Sequence, residues 1–113
     1  MDSETVILFT RNGLGDGPAD LQKLLAVKYL GLLLDSGKLP SKILFYTEGV
    51  RLACKDSPVL ELLKTLESQK VELVLCKTCL DRFNLTDQVL VGVVGGMGDI
   101  IEAMQKAQKV ISV

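Results

Sequence analysis

The sequence predicts a single α/β domain in three layers, a five-stranded parallel sheet with helices on both faces. Three observations lead there. The chain has 113 residues, near the commonest size for one domain and too short for two independent cores. It is 48% hydrophobic but only 4% aromatic, so its core must be built from Val, Ile, Leu and Ala, as suits buried parallel strands covered by helices. Short apolar runs also alternate with helical patterns along the whole length, which implies parallel strands joined by right-handed crossovers.

The elements follow in order. Thr5-Val-Ile-Leu-Phe-Thr10 is an apolar, β-branched run of strand length. Asp16-Gly17-Pro18 then offers a cap and a proline at the first helical position. The apolar series Leu21, Leu24, Leu25 and Leu32 continues until Ser36-Gly37 ends the helix. This helix is apolar beyond what one buried face requires. Lys42-Ile-Leu-Phe-Tyr-Thr47 reads as the second strand, and Ser57-Pro58 opens a helix with Leu60, Leu63 and Leu66 on one face. Val71-Glu-Leu-Val-Leu75 is the third strand, Gln88-Val-Leu-Val-Gly92 the fourth and Lys109-Val-Ile-Ser-Val113 the fifth. Asp99 is the expected cap of the last helix, with the spacing of a capping box to Glu102.

Thirteen basic against fourteen acidic residues give a formal net charge of -1. No excess positive field is left to attract nucleic acid or an anionic membrane. The start, Met1-Asp2-Ser3-Glu4, is acidic where a signal peptide is basic, and the apolar stretch around Leu24 to Leu34 is interrupted by Lys28 and too short to span a bilayer. A cytoplasmic location is expected. Three cysteines is an odd count for a disulfide scaffold, so reduced thiols are the default and become the first candidates for chemistry.

In an open α/β sheet the loops after the strands gather along one edge, where ligands bind. Three such loops stand out here: Arg11 to Gly17, Glu48 to Ser57 and Cys76 to Asn84. Cys76 closes the third strand, and Thr78-Cys79-Leu80-Asp81 reads as the first turn of a helix, so both thiols are expected to face helix N-terminal amides. With Lys77 between them and Arg82 one turn later, such surroundings depress a cysteine pKa from about 8.5 into the range of roughly 3.5 to 7.5. The thiolate is the reactive species, so a nucleophile or sulfur acceptor needs little more. The plainer reading is that these cysteines fill apolar space, as unpaired cysteine often does.

A C-x-x-C pair also suits half a zinc site or a dithiol oxidoreductase. The chain has no histidine and one further cysteine, so an intrachain zinc site lacks ligands and no metal is expected. A thioredoxin-like site places its pair near the start of a βαβ unit, whereas this one follows the third strand, and no later proline stands to face it. Cys54, in an apolar turn, is read as structural. Gly13-Leu-Gly-Asp-Gly17 fails the spacing of a dinucleotide loop, and Asp16 would sit where a phosphate belongs. A turn that lets backbone approach the neighbouring loop is the better use. No cofactor is expected.

Taken together, these residues resemble the DsrE-like superfamily, and most closely the C-terminal domain of YedF-type proteins of sulfur and selenium metabolism. The resemblance covers nearly the whole chain. It rests on Gly13 to Asp20 with its apolar helix, Leu39-Pro40 before Ile43-Leu-Phe-Tyr46, and the turn Glu48-Gly49-Val50-Arg51-Leu52. Ser57-Pro58-Val59-Leu60 adds to it, and above all Cys76-Lys77-Thr78-Cys79-Leu80-Asp81-Arg82-Phe83. Lys77 departs from an expected glycine, and Gly95-Gly96-Met97 from a more polar pattern. The resemblance implies a five-stranded parallel sheet and a cysteine after the third strand that holds sulfur as a persulfide. In the wider superfamily that residue falls on Cys76, while the YedF-like branch has a cysteine at both 76 and 79.

The first expectation is therefore a sulfur carrier or sulfurtransferase. Cys76 would take the outer sulfur of a donor, and Cys79 would release it by forming a disulfide or tune its neighbour. Lys77, Thr78, Arg82, Arg11, Gly13, Gly15 and Gly49 are the residues expected to stabilise the anion or contact the substrate. The implied partner is a small TusA-like sulfur carrier or another persulfide donor, since larger YedF-type proteins carry a TusA-like domain ahead of this one. A homo-oligomer is expected from the apolar first helix and from the superfamily. Two alternatives stay open: a non-enzymatic nucleotide- or protein-binding module with packing cysteines, and a dithiol oxidoreductase that needs both thiols.

Overall fold

The computed structural model describes residues 4–113. The acidic start at Met1, Asp2 and Ser3 lies outside the described residues. The five strands are β1 (Thr5–Phe9), β2 (Lys42–Phe45), β3 (Glu72–Cys76), β4 (Val93–Gly95) and β5 (Lys109–Ser112). They form one sheet in the order β4-β3-β2-β1-β5, every neighbouring pair parallel. Between them lie α1 (Ala19–Ser36), α2 (Leu60–Ser68), α3 (Lys77–Arg82) and α4 (Met97–Lys106), with 3-10 turns at Thr47–Ala53 and Thr86–Gln88.

The chain steps one way from β1 through β2 and β3 to β4, so right-handed crossovers put α1, α2 and α3 on one face. The return from β4 to β5 spans the sheet in the opposite direction and lays α4 on the other face, against β3 and β4. The expected three-layer α/β architecture is thus what forms. No helix among the described residues is long and apolar enough to cross a membrane.

The apolar runs become strands because both faces of the central sheet are covered. Ile7, Phe9, Ile43, Phe45, Leu73 and Leu75 alternate onto the α1–α2 face, all at most 1% exposed. Phe9 stacks on Phe45 with ring centroids 5.7 Å apart and meets the Tyr29 ring of α1 edge-on at 6.3 Å. Burying each such side chain stabilises by roughly 1.5–3 kcal/mol. Val6, Leu44 and Val74 face α4, which buries Ile100 and Ala103. At the strand starts, Lys42 pairs with Glu72, its cross-strand neighbour in the register.

Three local expectations are corrected. The fourth strand is Val93–Gly95, not Gln88–Gly92. Val89 instead bridges antiparallel to Cys54, Lys55 N–H donates to the Gln88 carbonyl, and Leu90 N–H donates to that of Ala53. Gly92, at φ 86, then turns the chain onto β3, with its backbone so close that a Cβ would lie 2.6 Å from Leu75 Cδ1. Pro18, whose ψ of 144 is not helical, occupies the cap position rather than the first turn of α1, and Asp16 is engaged in an ion pair with Arg11. Asp99 is the third residue of α4, not its cap, and its carboxylate accepts from the Gly96 N–H at 2.9 Å.

Gly37 ends α1 in the left-handed conformation, as the sequence predicts. Of α1, only Ala26 and Leu30 are buried, while Leu21, Leu24, Leu25 and Leu32 are 37% to 68% exposed. The excess apolar character read from the sequence therefore lies on the surface of the single chain.

Gly49 sits against the end of β1, where a Cβ would enter the space of the Phe9 carbonyl. Because that obstacle is backbone, it cannot swing aside. Gly49→Ala is expected to destabilise the fold by about 3 kcal/mol or more, seen as a lowered denaturation midpoint at unchanged slope. Wild-type stability in this variant would show that the two segments are not in contact.

Candidate functional site

The carboxyl ends of β1, β2 and β3 converge through a few backbone contacts. Tyr46 N–H donates to the Phe9 carbonyl at 3.2 Å, and Gly49 lies flat on the same peptide. Between them Thr47 adopts φ 49, a region a β-branched residue enters only at a cost of order 1–3 kcal/mol. Its hydroxyl donates to the Thr10 carbonyl at 2.6 Å and lies 2.7 Å from that of Tyr46. The strained turn aims the Thr47 N–H at Cys79 Sγ, 3.1 Å away.

Cys76 is the last residue of β3 and the cap of α3, and Cys79 is the third residue of that helix. Cap and third position stand three residues apart, a spacing at which side chains on a helix are neighbours. Here the two thiols are neighbours at the start of α3, and the presence of Cys76 helps to raise the Cys79 thiol. Their exposures differ sharply: Cys76 is 1% exposed and part of the core, whereas Cys79 is partly open to solvent. The expectation that Cys76 is the reachable thiol is therefore not met. It prolongs the apolar run Leu73-Val74-Leu75 into the interior, and its side chain makes no capping bond.

The expected depression of the thiol pKa is not met either. Burial pushes the Cys79 thiol up, hydrogen bonding to Cys76 adds to that, and the Thr47 amide pulls only partly the other way. Two supposed sources of positive charge are weak. Helix α3 has six residues, too few to sum a large dipole. Lys77 is engaged with Asp81 at 2.8 Å, a hydrogen bond that holds Lys77 above and Asp81 below their ordinary values. Thr86 Oγ1 also donates to Asp81, at 2.9 Å. Arg82 and Thr78 are exposed on the same helix.

The other expected residues serve the scaffold. Arg11 pairs with Asp16 and reaches the Val113 carbonyl at 3.5 Å. Gly13 packs against Gln22 of α1, whose side-chain amide donates to the Gly15 carbonyl at 2.6 Å. Gly49 is buried, and its N–H donates to Tyr46. Among the described residues none of these four hydrogen-bonds to Cys76 or Cys79. Cys54 is buried as expected, its thiol donating to the Val50 carbonyl at 3.3 Å and pushed up by burial.

Two groups escaped the sequence reading. Thr47 carries no signal, because its role is a backbone amide in a conformation its side chain disfavours. Arg51, which pairs with Glu48 and lies over the Phe83 ring at 4.6 Å, ties the second loop to the end of α3.

Alkylation of the native protein should modify Cys79 alone, with Cys76 and Cys54 reacting only after unfolding. Because the reactive form is the thiolate and the Cys79 pKa is raised, its rate should still be climbing above pH about 8.5, the ordinary cysteine midpoint. Peptide mass mapping checks the site and a pH series checks the slope. Earlier labelling of Cys76, or a rate that levels off near neutrality, would contradict this geometry.

Solved structures share this architecture. The ychN protein from E. coli superposes with a TM-score of 0.74 at 20% identity, covering 100% of both chains. MTH1491 from Methanobacterium thermoautotrophicum, described as a protein of unknown function, gives 0.73 at 20% identity over 99% of this chain and 100% of that one. BT1422 from Bacteroides thetaiotaomicron, described likewise, gives 0.69 at 19% over 96% and 93%. At such identities the likeness is one of fold. No curated protein matches the sequence. The DsrE/DsrF-like family, however, matches residues 6–113, almost the whole chain with the thiol pair included, and the protein belongs to that family.

Proposed function

We propose that this protein is a sulfur carrier of the sulfurtransferase type, holding sulfane sulfur as a cysteine persulfide for a partner thiol, with Cys79 as the residue that meets the donor. One observation supports this reading above others: Cys79 is the partly exposed thiol of the pair, at the sheet edge, with a backbone N–H 3.1 Å from its sulfur. In loading, the Cys79 thiolate attacks the outer sulfur of a donor persulfide, R–S–SH. A new S–S bond forms, the donor's own S–S bond breaks, and R–S⁻ departs. In delivery, an acceptor thiolate attacks the outer sulfur in turn and regenerates Cys79.

A raised pKa leaves less thiolate at neutrality but makes it more nucleophilic. Each unit lowers the thiolate fraction about tenfold while returning about threefold in intrinsic rate. The Thr47 amide compensates part of the remainder by hydrogen-bonding the anion. Arg82 and Thr78, exposed on α3, stand where a partner's anionic or polar groups would approach. A small TusA-like carrier in the cytoplasm suits the donor role, as the resemblance to YedF-type domains implies. The leucines of α1 suit a homo-oligomer.

A dithiol oxidoreductase is the second reading, favoured by the placement of the two thiols three residues apart at the start of α3. Sulfur uptake separates them. After exposure to a persulfide donor and removal of excess, Cys76→Ser should gain one sulfur atom in intact mass and Cys79→Ser none. Uptake by Cys79→Ser but not by Cys76→Ser would return the role to Cys76, and uptake by neither would end the carrier reading. Light scattering should give a mass above that of one chain; a monomer at micromolar concentration would refute self-association.

A further inference from the structure

We infer that Cys76 is a resolving thiol, which discharges a sulfur left uncollected on Cys79 as hydrogen sulfide and closes the pair into a disulfide. This rests on the carrier reading above and adds a fate for its cargo. The two side chains occupy cap and third position of α3, three residues apart at the helix start, a spacing that makes them neighbours. Their environments are opposed. Cys79 meets solvent, where a donor or acceptor can reach it, while Cys76, 1% exposed, is open to no external reagent in this conformation. Its nearest reactive partner is the inner sulfur of a Cys79 persulfide.

In the step, the Cys76 sulfur attacks Cys79 Sγ. The Cys76–Cys79 S–S bond forms, the bond to the outer sulfur breaks, and that sulfur leaves with its electron pair as HS⁻ through the open side of Cys79. The proton from Cys76 goes to water. Two thiol sulfurs are oxidised to a disulfide while the sulfane sulfur is reduced to sulfide, so the step balances without an added oxidant. Resetting needs two equivalents of a monothiol, or one of a dithiol, which is oxidised to its disulfide.

Packing selects this outcome over transfer of the outer sulfur to Cys76. A persulfide there would add a sulfur atom inside a close-packed interior, because Cys76, 1% exposed, is part of the hydrophobic core. The device therefore sets a lifetime. An acceptor that arrives in time receives sulfane sulfur, and otherwise the site releases sulfide and waits for reductant.

The test loads reduced full-length protein with glutathione persulfide, removes small molecules at once, and follows intact mass and free sulfide. Wild type should lose its added sulfur, release one sulfide per chain and end two hydrogens lighter than the reduced protein. Cys76→Ser, and Cys76→Ala as a variant that keeps the site apolar, should retain the sulfur and release none. A wild type that keeps its sulfur while the Cys76 variants load normally would overturn the discharge step alone. Sulfur mapped to Cys76 in the wild type would overturn it as well. Failure of both Cys76 variants to take up sulfur would overturn Cys79 as the loading residue and this inference with it, and failure of Cys79→Ser as well would end the carrier reading.

Discussion

The geometry of the candidate site depends on one close approach, the second loop lying directly on the end of β1. Gly49 has no Cβ where one would collide with the Phe9 carbonyl, and Tyr46 hydrogen-bonds to the same group. That contact forces the intervening Thr47 into a left-handed backbone, and the left-handed backbone turns its N–H toward the third strand's thiol. The hydrophobic core beneath supplies the energy that holds the strain: Phe9 and Phe45, stacked at the strand ends, fix the two peptides that the turn joins. A donor for sulfur is thus built from main chain and held by packing, with no side-chain charge committed to it.

Electrostatics at this site run against a simple charge count. Lys77 lies between the two cysteines in sequence, yet its ammonium group answers to Asp81 one turn on, and the pair is exposed. Burial and the neighbouring thiol decide the acidity of Cys79 instead. A thiol whose pKa is held above its ordinary value carries little thiolate at neutrality and is slow to react with stray electrophiles.

Most of the scaffold was legible in the sequence because it obeys local rules. The runs around Ile7, Ile43 and Leu73 are β-branched or apolar, short and bounded by turns, and Gly37 marks the end of α1. The fourth strand misled because Val89-Leu90-Val91 is more apolar than Val93-Val94. Pairing with Ala53 and Lys55, together with the turn at Gly92, decided the matter, and both are long-range. The cysteine pair was legible as a motif, and two clues to its true character were present. Cys76 continues an unbroken apolar strand, which argues for burial, and Lys77 and Asp81 stand at the i,i+4 spacing of a helical ion pair. Thr47 was beyond reach, since a backbone amide in a disfavoured conformation leaves no mark on residue type.

The brevity of β4 bears on which neighbours that border of the sheet admits. An edge strand offers its unpaired peptide groups to any extended segment that drifts past, and Val93 and Val94 are apolar enough to hold one. With only three residues before the chain turns into α4, a visitor finds too little ladder to zip along. Length, rather than charge, blunts that border of the sheet.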